Sequence, residues 1–135
     1  MSNITNIAEA PEIDWGDGYE GRTQDLLLPE HREKAYKNHL LINSNKYMKQ
    51  EPVCKWFSLT HSRVKYLICS IDEGSPNIAF VIADWGNECV EFGSLSISEI
   101  SEFIHPKYKF HSFERDIIWE PEKTIGEYLR DIQID

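Results

Sequence analysis

The sequence predicts an α+β domain, with a mainly antiparallel sheet of about four to five strands packed by two to three helices. Three observations carry that expectation. Apolar runs of strand length follow one another through the middle of the chain with only short turns between them. Helical stretches with recognisable start signals stand before, within and after the series. No crossover helix separates the first strands, as parallel pairing would require, so hairpin-joined antiparallel neighbours are expected.

The elements follow in order. Residues 1–24 hold Pro11, Gly16, Gly18 and Gly21, which work against regular structure, and are expected to form a flexible acidic arm ahead of a single domain over residues 25–135. Pro29 suits the first position of a helix, where its missing N–H has no partner to lose, and the helix is expected to run on to His39 with Leu28, Ala35, Tyr36 and Leu40 on one face. After a polar connection, Val53 to Thr60 and Arg63 to Ile71 read as a hairpin turning at His61 and Ser62.

The run Asp72-Glu73-Gly74-Ser75-Pro76-Asn77 is a dense turn signal. Ile78 to Ala83 beyond it is almost continuously apolar, as in a central strand. Trp85-Gly86-Asn87 turns the chain again, and Cys89, Phe92 and Leu95 mark a fourth strand. Ser96 with Glu99 makes a capping box opening a helix through Ile97, Ile100, Phe103 and Ile104, with Pro106 ending it. A further strand is expected within Lys107 to Phe113. Thr124 with Glu127 starts a closing amphipathic helix carrying Ile125, Leu129 and Ile132 on one face.

Composition narrows the function. The 135 residues are 41% hydrophobic and 12% aromatic, enough for one core, and carry a formal charge of −9. That sign is wrong for coating nucleic acid or an anionic membrane, and points to a basic protein as partner. Five of the nine net negatives precede Leu26. Cys54, Cys69 and Cys89 are odd in number, widely spaced and set in apolar runs, so they read as reduced core residues in a cytoplasmic protein. No secretory leader and no apolar stretch of membrane-spanning length is recognisable.

Chemistry-bearing motifs are sparse. His31, His39, His61, His105 and His111 form no HxH or HExxH pair and are expected at the surface, so no metal site is anticipated. There is no GxSxG elbow and no cysteine in a basic setting, so no catalytic residues are assigned. Gly16-Asp17-Gly18 lacks the strand and helix that aim N–H groups at a phosphate, and no cofactor is expected. The candidate binding residues are Asp14, Trp15, Asp17 and Tyr19 in the arm, with Asp72, Glu73, Asp84 and Trp85 in turns at sheet ends. Tryptophans at sheet spacing are usually core, but one exposed among acids would anchor an interface.

The run Glu51-Pro52-Val53-Cys54-Lys55-Trp56-Phe57, Ile78-Ala79-Phe80 with Asp84-Trp85-Gly86, Glu91-Phe92-Gly93-Ser94-Leu95-Ser96 and Glu114-Arg115-Asp116 resembles the bacterial family known as domain of unknown function twenty-nine fifty-eight. The likeness spans about Leu26 to Leu129, with Leu28 in place of a capping Thr and Trp85 in place of Leu. It implies a compact domain carried by bacteria, plasmids and phages, and it transfers no functional residues. The expectation is therefore a small acidic, non-enzymatic interaction domain: an anti-CRISPR-like, nucleic-acid-mimicking inhibitor of host defence, or an accessory of mobile-element DNA metabolism. The alternative is a small enzyme whose site the fold assembles from dispersed histidines and carboxylates.

Overall fold

A computed structural model describes residues 25–61 and 63–135; the arm, with Asp14, Trp15, Asp17 and Tyr19, and the turn residue Ser62 lie outside them. Five strands form one sheet: β1 (Cys54–Ser58), β2 (Lys65–Ile71), β3 (Ile78–Asp84), β4 (Val90–Ser96) and β5 (Phe113–Arg115). The order is β4-β3-β2-β1-β5 and every pairing is antiparallel. Three short turns make β1 to β4 a meander, as the sequence predicts, and the chain then crosses back to lay β5 on the far side of β1. The helices are α1 (Pro29–His39), α2 (Ile97–Glu102) and α3 (Ile125–Tyr128), with a 3-10 turn at Tyr47–Lys49.

Both sheet faces are covered over β1, β2 and β3, which explains the near-continuous apolar run in β3. On one face Tyr66, Ile68, Val81 and Ala83 pack with Trp56, Leu26, Ile97 and Phe113. On the other, Leu67, Cys69 and Ile82 pack with Tyr47, Ile125, Tyr128 and Ile134. Trp56 is fully buried, and its indole Nε1 donates to the Leu26 carbonyl at 2.8 Å, fixing the start of the described chain to the sheet. Leu28 has no side-chain oxygen with which to cap α1. His31 compensates in part, because its Nδ1 accepts the Leu28 N–H at 3.0 Å.

Several expectations are corrected. Leu40 follows the end of α1 and is 85% exposed; Asn38 fills the inner face instead, donating to the carbonyls of Glu51 and Cys69. α2 stops at Glu102, well before Pro106, since Phe103 is already extended. Residues 107–112 form no strand: an Ile104–His111 bridge closes an excursion in which Lys109 has φ 63°, and β5 begins only at Phe113. α3 ends at Tyr128, leaving Ile132 exposed while Ile134 becomes the core residue. Cys89 is exposed rather than core, and His111 is buried rather than superficial, with Nδ1 3.0 Å from the Ser101 carbonyl.

Candidate interaction surface

The four described candidate residues occupy opposite ends of the sheet. Asp72 and Glu73 lie in the β2–β3 turn, whereas Asp84 and Trp85 close the far end of β3, roughly 20 Å away at the rise of an extended strand. They do not make one site.

At the first end, Asp72 holds its own turn by accepting the Gly74 N–H at 2.9 Å. With Glu33, Lys37, His39 and Glu73 it borders a shallow hollow of about 270 Å³. His39 stacks tilted on Phe80, and its Nδ1 meets the Ser70 hydroxyl at 3.0 Å; that hydroxyl lies 2.6 Å from the Tyr47 phenol. The linkage resembles a nucleophile with its base, but Ser70 is fully buried, and burial raises the pKa of the Tyr47 phenol, which stays protonated. Burial likewise pushes the Cys54 thiol up to about 12 and raises that of Cys69, so neither supplies a thiolate at neutral pH. Among the described residues, no three His, Cys, Asp or Glu side chains converge on a metal position.

At the second end, Asp84 is buried and both its oxygens are engaged. Oδ1 accepts the Gly86 N–H at 2.8 Å and Oδ2 accepts the Ile134 N–H at 2.7 Å, tying the β3–β4 turn to the C-terminal segment. Gly86 has φ 82°, and a Cβ there would lie 2.5 Å from that of Arg63, so the tight turn needs glycine. This turn throws Trp85 outward: it is 45% exposed, its ring edge-on to Tyr66 at 5.7 Å. Of the pair, then, Asp84 builds the turn and Trp85 is presented to solvent.

Trp85 opens onto β4, the least covered strand. Glu91 to Ser94 are all exposed, while β2 and β3 are buried almost throughout. On one face Tyr66, Val81, Trp85, Glu91, Gly93 and Leu95 line a mostly apolar groove of about 90 Å³. On the other face Phe92 is 38% exposed and leans on Phe80 and Tyr47. The β3–β4 register is regular, and at its end the Ile97 N–H donates to the Asn77 carbonyl at 2.8 Å. Antiparallel alternation from that bond turns the amides of Glu91, Gly93 and Leu95 toward β3 and those of Val90, Phe92 and Ser94 outward.

Charge is uneven along the chain, although Arg63 and Lys65 stand beside Asp84 and Gly86 at the Trp85 end of the sheet. From Tyr66 to Pro106, covering nearly all of β2 with β3, β4 and α2, the chain has seven acids and neither Lys nor Arg. The remainder of residues 26–135 has ten acids against thirteen Lys and Arg. Adding charges over the whole chain conceals this polarity, yet the cation-free run is legible in the sequence. Phe92, Gly93 and Glu91 were missed for another reason, since only pairing order reveals that β4 is an outer strand.

A meandering sheet with helices on both faces and one open, aromatic, anionic edge defines a small α+β domain with its surface concentrated at one side. The family described as a protein of unknown function (DUF2958) matches residues 26–134, and the chain belongs to it. No curated protein and no solved structure matches the chain. Among the described residues no helix is long and apolar enough to cross a membrane.

Proposed function

We propose that this chain is a non-enzymatic protein-interaction domain that engages a basic protein through its β4 side. The observation that carries the reading is Trp85, an exposed indole bordering an apolar groove and set in a chain segment, Tyr66 to Pro106, that has seven acids and no Lys or Arg. Large aromatic anchors dominate binding energy when a partner buries them, and surrounding charge of one sign speeds association with the opposite sign. A basic nucleic-acid channel is a fitting counterpart, which supports the finer reading of a cytoplasmic defence inhibitor or mobile-element DNA accessory.

The test is affinity capture from cells that naturally carry the chain, comparing wild type with Trp85→Ala. A basic partner retained at about 50 mM salt, depleted at about 500 mM and lost with Trp85→Ala is expected. Retention that ignores both salt and Trp85 contradicts the reading. The enzyme alternative has one observation in its favour, the hollow holding His39 with Glu33, Asp72 and Glu73. It requires His39→Ala to abolish a turnover that Trp85→Ala leaves intact.

A further inference from the structure

We propose that β4 receives an extended segment of the basic partner as an antiparallel sixth strand, with a large apolar side chain seated over Gly93. The inference rests on the interaction reading above and specifies its mode and the pattern it recognises.

Strand edges in monomeric domains are normally blunted by shortness, charge, proline or bulges, because unpaired N–H and C=O groups template further pairing. β4 has seven residues, no proline, one charged residue and an unbroken register with β3. Its outward groups at Val90, Phe92 and Ser94 repeat every second residue, the spacing an added strand needs. The groove supplies side-chain selection. A Cβ built on Gly93 meets nothing within 4 Å, so a notch sits at mid-strand between Glu91 and Leu95 on the same face. Gly93 pairs inward with Val81, so a residue opposite it on an added strand belongs to the close, non-hydrogen-bonded type, where side chains approach most. A large apolar residue there covers the bare glycine backbone and meets Trp85 and Tyr66. Its neighbours two residues away fall opposite Glu91 and Leu95, which select a basic and an aliphatic side chain. Read along the partner, the pattern is aliphatic-x-aromatic-x-basic, and the absence of Lys and Arg from Tyr66 to Pro106 favours such a segment.

The experiment uses the full chain and a blocked peptide, Lys-Thr-Val-Thr-Trp-Thr-Arg-Thr. On saturation, amide exchange at Phe92 and Ser94 should slow at least about tenfold, with no slowing at Arg115 on the other edge. N-methylating the two threonines that flank the tryptophan should abolish binding, because their N–H groups face β4, whereas N-methylating the tryptophan and valine should not. Ser94→Pro removes an outward donor without touching the β3 pairing and should weaken the peptide about tenfold, while Ser94→Ala should not. Equal loss from both methylation patterns, unchanged exchange at Phe92 and Ser94, or no binding at about millimolar peptide overturns strand addition. A natural partner that still depends on Trp85 and on salt would survive that result, so the two readings fail separately.

Discussion

β5 and β4 end the same sheet in opposite ways. β5 has three residues, two of them the charged Glu114 and Arg115, and the excursion closed by the Ile104–His111 bridge lies beside it. On that side Trp56 is sealed in the core, Arg115 Nε donates to the Asp25 carbonyl at 2.9 Å, and Lys107 and Lys109 add positive charge. β4 is more than twice as long, exposed through its centre and aromatic, and the chain segment that holds it, from Tyr66 to Pro106, has acids but no Lys or Arg. The closed edge is built as proteins build edges that must stay single, whereas the open edge lacks those devices and carries the groove. The buried core lies over β1, β2 and β3, and the recognition proposed above falls to β4, the edge without those devices.

The largest test of that division sets two tryptophans against each other. Trp56→Ala should destabilise the domain by about 3–5 kcal/mol in urea unfolding, since it empties a fully buried site and removes the bond to Leu26. Trp85→Ala should cost no more than about 1 kcal/mol. Comparable losses would break the contrast. Next come two acids at the ends of β3. Asp84→Ala strands the Gly86 and Ile134 N–H groups and should cost about 2–3 kcal/mol, whereas Asp72→Ala, in an exposed turn, should stay within about 1 kcal/mol.

A smaller effect is expected at Glu91. Glu91→Lys should leave the unfolding midpoint within about 0.5 kcal/mol of wild type while weakening the basic partner about tenfold, read by titration calorimetry.

The smallest sits on the closed side, at His31. Burial, with the nearby Arg115 guanidinium adding to it, holds the His31 imidazole below its ordinary value, and the neutral ring accepts the Leu28 N–H. The native state then binds fewer protons than the unfolded chain. This contribution is whole above about pH 6.5 and fades as pH falls through the lowered native value. A loss of stability on acidification through that window, absent in His31→Ala, is expected from unfolding curves. A pH dependence unchanged in the variant would contradict it.

Much of the fold was legible because its signals are local. Pro29 opens α1, Ser96 and Thr124 cap α2 and α3 through side-chain bonds to Glu99 and Glu127, and the Asp72 to Asn77 turn separates two apolar strands. The errors arise where tertiary contacts override local pattern. Ile132 keeps helical spacing yet stays outside because Ile134 is drawn in by its bond to Asp84, and Asn38 is buried by two carbonyls remote in sequence. For the surface, Trp85 was singled out from its turn and its acids. Phe92 and Gly93 were hidden, since an outer strand and a covered one share the same alternation until pairing order is known.

The division between the edges is tested most directly by photocrosslinking in cells that naturally carry the chain. A photoreactive phenylalanine analogue is placed at Phe92 on the open edge or at Tyr108, an exposed aromatic on the closed side. A salt-sensitive adduct with a basic protein from position 92 and none from position 108 is the predicted result. An adduct from position 108 alone, or equal adducts from both, would contradict the account.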